Sequence, residues 1–328
     1  MIRPVYIGLA LVLSLMSLQE VAAEPLRVVS YNVENLFHPK HDTVCIDSTT
    51  FIEKDDYEWT PEGERRWSYT RYYRKVEHIA QVLTNIGEWD GVDIVGLQEV
   101  ENALCVKRLC YTLRPNEYDF VHYESLDPRG IDVALIYKKS RVDTLSTQAI
   151  PIPNIYTRDI LYVQALVDKK DTLHLFVCHF PSQRGGAAES EWKRTEAKKT
   201  LQSAIDSVYW TFRDPKIVVM GDFNEDPSNS PIKGERKEFR GINYKNPVNG
   251  KEIGTHKHQG RWTCLDQFYT SPSLDSVSSA SIYDAEWIQE PDEKHLGLKP
   301  KRTYNGFQYR PDSYSDHLPI VMELKIKN

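Results

Sequence analysis

Beyond its N-terminal segment, this 328-residue chain has no apolar run long enough to cross a bilayer. It has no internal repeat, no low-complexity tract and no stretch that reads as a linker between domains. It also lacks a strong charge imbalance: 41 Lys and Arg stand against 47 Asp and Glu, a formal charge of -6. A mildly acidic chain of this kind does not read as a nucleic-acid coat protein, although a local basic patch beside a metal ion stays open to it. Cysteine is sparse. Cys45, Cys105, Cys110, Cys178 and Cys264 show no zinc-site spacing. Cys105 and Cys110 are the nearest pair, but spacing alone leaves any disulfide connectivity open. Cys178 and Cys264 fall in apolar, strand-like runs and are expected as buried free thiols.

What is present begins with a leader-like start. Met1-Ile2-Arg3 is followed by an apolar run from Val5 to Leu18 and then by Val21-Ala22-Ala23. Charged, apolar and small residues in that order predict a secretory signal peptide over 1–23. No cysteine lies near the cut, which argues against a lipid-modified N-terminus. Residues 24–328 then form one domain, exported to a periplasm or beyond, and export would permit disulfides.

The pattern after the leader alternates sheet and helix unevenly. Strands are expected at 26–37, 92–101, 118–123, 131–138, 161–167, 172–179, 215–224, 264–271, 279–284 and 318–326. Val76, Ile79, Ala80, Leu83 and Ile86 recur at helical spacing and predict a helix over 68–86. A second begins near Asn102. A third covers 188–212, with Leu201, Ala204, Ile205, Val208 and Phe212 on one face. Residues 38–60 and 225–261 read as long irregular segments. Many strands with few intervening helices make a purely parallel βαβ array a poor fit. A two-sheet sandwich flanked by helices fits better.

Several apolar strands end in polar residues of one chemical kind. "LRVVSYNVENLF" supplies Asn32 and Glu34, "VGLQEVE" Glu99, "LFVCHF" His179, "VVMGDFN" Asp222 and Asn224, and "CLDQFY" Asp266. "YSDHLPI" places Asp316 and His317 just ahead of the last strand. Each alone is an ordinary turn residue. Together they are acids, amides and imidazoles with no Lys or Arg among them. Converged, they would make a hard-oxygen metal site with histidines beside it.

The ordered set "SYNVENLF", "LQEVE", "GIDVALIY", "CHFPSQRGG", "GDFNEDP", "LDQFY" and "YSDHLPI" resembles the endonuclease/exonuclease/phosphatase superfamily and covers nearly all of the chain after the leader. The resemblance implies a four-layered α/β sandwich of the deoxyribonuclease I type, with two packed, mainly antiparallel or mixed sheets flanked by helices. It implies a metal-dependent phosphoesterase using Mg²⁺, with Mn²⁺ or Ca²⁺ as alternatives. Glu99, Glu34 and Asp316 are the implied acidic ligands, with Asn32 beside them. Asp222 would position or deprotonate the attacking water, and Asn224 would hold that water or a phosphate oxygen. His317 would contact the phosphate, its tautomer fixed by Asp266, and His179 would hydrogen-bond the phosphate or assist the leaving group.

Arg184 sits among glycines in "SQRGG" and Arg158 in "YTRDIL"; both are candidate phosphate contacts. His256 and His258 in "THKHQG" look like a metal pair but read better as solvated loop histidines. The 225–261 segment is locally basic, with Lys233, Arg236, Lys237, Arg240, Lys245, Lys251, Lys257 and Arg261 against five acids. That balance favours a polyanion, and so an exported nuclease acting on nucleic acid. The alternatives are a phospholipid, inositol-phosphate or sugar-phosphate phosphoesterase, or a non-catalytic binder on the same fold. Inositol phosphatases resemble one another in a Cys-Asp-Arg run where this chain has "CLDQF", and no exposed apolar hairpin marks a membrane-active member. The full acid and histidine set argues against a mere binder. N-terminal sequencing of the exported protein should begin at Glu24; a chain beginning at Met1 would refute the leader.

Overall fold

The computed structural model describes residues 24–41, 43–45, 51–183, 186–227, 240–241, 254–274 and 277–326. The leader and Arg184 therefore lie outside the described residues, as does most of the basic 225–261 segment. Two six-stranded sheets stack face to face. The first runs in the order Val277–Ile282, Ile320–Leu324, Leu26–Leu36, Ile94–Val100, Asp132–Lys138, Tyr118–His122. The second runs Arg240–Gly241, Asp266–Thr270, Lys216–Asp222, Asp171–His179, Ile160–Val167, Val142–Ile150. Each sheet has one parallel pair, Leu26–Leu36 with Ile94–Val100 and Asp171–His179 with Lys216–Asp222, and is otherwise antiparallel.

Strand alternation builds the layers. Val218 and Met220 point between the sheets with Val28, Leu135, Val163, Leu175 and Ile320, while Ile217 and Val219 point to the opposite face. Both faces of the central strands are therefore buried, which is why "KIVVMGD" is an unbroken apolar run. Helices α1 (Tyr69–Gly87) and α2 (Ala103–Leu113) cover the first sheet, and α3 (Ala187–Thr211) covers the second. The order is helix, sheet, sheet, helix, the four-layered sandwich expected. Ser68 caps α1 by accepting from the Arg71 amide, and Asn102 caps α2 by accepting from Leu104 and Cys105. Val76, Ile79, Leu83 and Ile86 of α1 are buried, as their spacing predicts, and each fully buried aliphatic side chain contributes about 1.5–3 kcal/mol.

Some local expectations need correction. The 38–60 segment is not wholly irregular: Thr43–Cys45 pairs with Phe51–Glu53, and Tyr57–Trp59 is a 3-10 turn. Val142–Ile150 is an unforeseen edge strand, because its mostly exposed residues carry no apolar alternation. Cys105, Cys110, Cys178 and Cys264 are free thiols, Cys178 fully buried and Cys264 only half-buried. No helix among the described residues is long and apolar enough to cross a membrane.

One glycine joins this scaffold to the polar edge. Gly221 has φ +145°, and a Cβ there would stand 1.9 Å from the Cys178 carbonyl oxygen on the neighbouring parallel strand. Gly221→Ala should cost on the order of 3 kcal/mol, read as a lower urea midpoint; an unchanged midpoint would show that the strand relaxes freely.

Candidate active site

The two parallel pairs end at the same edge of the sandwich, and the antiparallel strands Asp266–Thr270 and Ile320–Leu324 begin there. Asp222 pairs in register with His179 on one side and Asp266 on the other. The Asn32 amide reaches across from the first sheet and donates to Asp222 Oδ2 at 3.0 Å, while Asn32 Oδ1 accepts from the Glu34 amide at 3.0 Å. Asp222 Oδ1 accepts from the Asn224 amide at 2.8 Å. Asn224 in turn donates its side-chain amide to the Phe180 carbonyl at 3.0 Å.

Irregular backbone aims the acids. Register slips occur between Asn32 and Leu36 and between Gln98 and Val100. Glu34, Asn35, Glu99 and Asn224 all have left-handed φ, from 52° to 64°. Bulges of this kind turn a side chain out of strand alternation, and left-handed non-glycine residues cost of order 1–3 kcal/mol each. The result is that Glu34, Glu99, Asn224, Asp316 and His317 share one cleft of about 980 Å³.

His317 and Asp266 form the tightest imidazole–carboxylate pair in the cleft. His317 Nδ1 lies 2.7 Å from Asp266 Oδ2, and its Nε2 faces Asp222 and Asp316 at 3.9 and 4.0 Å. Ser315 fixes the turn by donating to the Asn32 carbonyl and accepting from the His317 amide. Burial would lower the His317 pKa, but Asp266, Asp222 and Asp316 outweigh it and hold it well above the ordinary value. Asp222, Asp266 and His317 are close enough to cradle an ion, yet the short His317–Asp266 contact makes them a hydrogen-bonded acid–base cluster. Burial, with Asp266 adding to it, pushes Asp222 up to about 7 against the pull of His317. Burial, helped by Arg158, Arg129 and His317, drives His179 well below its usual value, so its imidazole is neutral. Its Nε2 stands 3.7 Å from Asp222 and 3.9 Å from Glu99.

On the other side of the cleft lie the three acids of the implied metal site. Glu34 Oε2 accepts from Thr303 N and Oγ1 at 2.6 and 2.8 Å, and Glu99 Oε2 accepts from the Asn35 amide at 2.9 Å. Burial and then Asp316 raise Glu34 to about 7. A buried acid raised by a second carboxylate beside it, within reach of a third in the same cleft, fits a hard divalent cation. Asn32 stands beside these acids as expected, its amide nitrogen on Asp222 and its oxygen on the Glu34 backbone, which ties the two carboxylates together. Buried Lys75 of α1 lies 3.8 Å from Glu34, and Arg302, half exposed, reaches Asp316 at 3.1 Å.

Arg158 is also displaced from its expected role. It is buried, donating to Asp127 at 2.9 Å and to the Phe180 carbonyl at 2.9 Å, behind the cleft wall. Among the described residues, the cations on the wall are Arg65, Arg129, Arg261 and Arg302. The only sequence signal for Arg129 is the adjoining glycine of "PRGID". His256 is the larger surprise. Its strand His256–His258 bridges to His317, and the two rings lie 4.8 Å apart. A hairpin with Arg261–Thr263 folds it onto the site, whereas its sequence context reads as open loop.

The profile of the endonuclease/exonuclease/phosphatase family matches residues 27–326. The chain belongs to this family. Solved structures share the fold at low identity. A family protein of Bacteroides thetaiotaomicron is 16% identical with TM-score 0.58, over 93% of this chain and 100% of its own. A mannosyl-6-phosphatase of the same organism is 16% identical with TM-score 0.59, over 92% and 100%. Truncated TDP2 of Caenorhabditis elegans is 15% identical with TM-score 0.57, over 92% and 98%. No curated protein matches the chain. The family assignment carries a phosphoesterase fold, and Glu34, Glu99 and Asp316 line the cleft as hard-oxygen groups of the kind a divalent ion takes.

The charge states predict a bell-shaped pH profile. Loss of the Asp222 carboxylate sets an acid limb near 7, and loss of the His317 proton sets an alkaline limb. Asp266→Asn should lower kcat on the order of 10³-fold or more and move the alkaline limb to lower pH. An unmoved limb would remove His317 from that role.

Proposed function

We propose that the protein is an exported, metal-dependent phosphodiesterase that cleaves nucleic acid. The observation that carries the substrate class is the cleft wall. Arg65, Arg129, Arg261 and Arg302 stand around one catalytic edge, with Trp59 and Tyr304 beside them. Four guanidiniums exceed what one phosphate group can engage and fit a run of phosphates, while Trp59 and Tyr304 are buried and hold Arg65 in place by lying beneath its guanidinium. Export rests on the leader-like N-terminus.

The chain's own residues divide the chemistry. Asp222 accepts a proton from the attacking water, and Asn32 holds that carboxylate in place. Asn224 orients the water or a phosphate oxygen. His317, kept charged by Asp266, donates toward the phosphate oxygens, and neutral His179 hydrogen-bonds the phosphate or the departing oxygen. A divalent cation, Mg²⁺ by the hard-oxygen chemistry of Glu34, Glu99 and Asp316, would offset charge on the phosphate oxygens and the leaving group.

The test is nicking of supercoiled plasmid by the chain without its leader, beside His317→Ala, with Mg²⁺ and then with EDTA. Nicking is expected to need both the metal and His317. No nicking under Mg²⁺ or Mn²⁺ would overturn the nucleic-acid reading. Turnover of a sugar phosphate or lipid headgroup in its place would keep the catalytic roles and change the substrate.

A further inference from the structure

A second cluster of ligand-type side chains lies outside the cleft. His122 ends the strand Tyr118–His122, Asp132 begins Asp132–Lys138, and Glu124 follows His122 by two residues. His122 pairs with Ala134, so strand alternation puts Asp132 on the same face, diagonally beside the imidazole. The His122 side chain is 2% exposed, and its Nε2 has no hydrogen-bond partner. That nitrogen points at Asp132 Oδ2 from 3.7 Å, while Glu124 Oε1 lies 4.0 Å from Nδ1. Ligand atoms from all three residues lie within 4.8 Å of one another.

We propose that His122, Asp132 and Glu124 form a second metal site, for a divalent ion of the zinc class, distinct from the ion expected in the catalytic cleft. The spacing is the first argument. At 3.7 Å the imidazole and carboxylate are too far apart to hydrogen-bond, but two donors sharing a tetrahedral ion at about 2.0–2.2 Å stand roughly 3.4 Å apart. The remaining valences are the second. Asp132 Oδ1 is already taken by the Ser125 amide and hydroxyl, which orients Oδ2 toward the imidazole. Lys54 Nζ bonds Glu124 Oε2 at 2.7 Å, and Glu124 Oε1 lies on the imidazole side. Charge is the third. Lys54 faces Glu101, Glu124 and Asp132, and burial pushes Asp132 well above its ordinary value and Glu101 up to about 9, so these acids hold protons that a divalent ion could displace. Burial and Lys54 push His122 down to about 4, which leaves the neutral ring a metal needs. One imidazole with two carboxylates suits zinc better than Mg²⁺, which prefers an all-oxygen shell.

The location gives the ion a structural purpose. Asp132 pairs in register with Val100, next to Glu99. The turn between the two strands, held by Ser125 and Asp127, carries Arg129 into the cleft wall. An ion on His122 and Asp132 would clamp both ends of that turn.

The experiment strips the chain with EDTA and titrates Zn²⁺ by calorimetry in millimolar Mg²⁺. Co²⁺ is used as a spectroscopic stand-in. Glu99→Gln, which disables the cleft ligand set, should retain one Zn²⁺ equivalent and an intense visible Co²⁺ band. His122→Ala and Asp132→Asn should lose both, with affinity falling at least about 100-fold, the upper end of what losing even an indirect partner costs. Lys54→Met removes the competing ammonium and no ligand, so it should bind Zn²⁺ more tightly and guards against variants that fail to fold. The proposal is overturned if wild type binds no equivalent beyond that lost in Glu99→Gln. It is equally overturned if His122→Ala keeps the band, or if Lys54→Met binds no tighter.

Discussion

The catalytic edge depends on one buried carboxylate, Asp222. It is the point where the two sheets meet chemically: Asn32 of the first sheet donates to it across the sandwich, and His179 and Asp266 flank it within the second. A carboxylate this enclosed favours its proton. Its folded pKa of about 7 exceeds the ordinary 3.8, so the folded state binds that proton more tightly than the unfolded chain does. Asp222 therefore costs stability progressively as pH rises between those values, and the loss is complete above them. The sandwich core tolerates this cost, and in return holds a carboxylate that titrates near neutrality.

Backbone strain follows the same logic. Regular strands alternate their side chains, so a strand end can offer only every second residue to an edge. Slips around Glu34 and Glu99 break the alternation and turn both acids into the cleft. The left-handed φ of Glu34, Asn35, Glu99 and Asn224 is the energetic cost of that convergence. The inter-sheet packing behind them is tight, since a Cβ on Gly96 would press into Met220, which gives the bulges a rigid base.

Much of this was legible in the sequence because it is written in local patterns. Buried central strands are continuous apolar runs, α1 has a regular 3.6 period, and each run ends in an acid, amide or imidazole. What was not legible depends on tertiary placement. Bulges leave no compositional trace. Lys75 looks like any helix lysine until the fold packs it beneath Glu34. His256 looks solvated until its hairpin pairs with the residue that begins the last strand's approach. Arg158 was misjudged for the opposite reason: its flanking sequence is polar, but Asp127 lies opposite it in space and draws it inside.

Net charge was the least informative sequence property, and the cleft explains why. The acids sit at the floor, where Asp222 and Glu34 are almost wholly buried, while Arg302 is half exposed on the wall above them. On the proposed function, an approaching polyanion would meet the guanidiniums first and the carboxylates only beyond them. Low-dielectric walls focus the field of the nearer charges, and salt screens the distant acids of the outer surface within about 8–10 Å. A formal charge of -6 is thus compatible with a basic entrance. The same separation bears on the Arg302–Asp316 pair: on the proposed function a half-exposed arginine would give up little in exchanging this carboxylate for a phosphate.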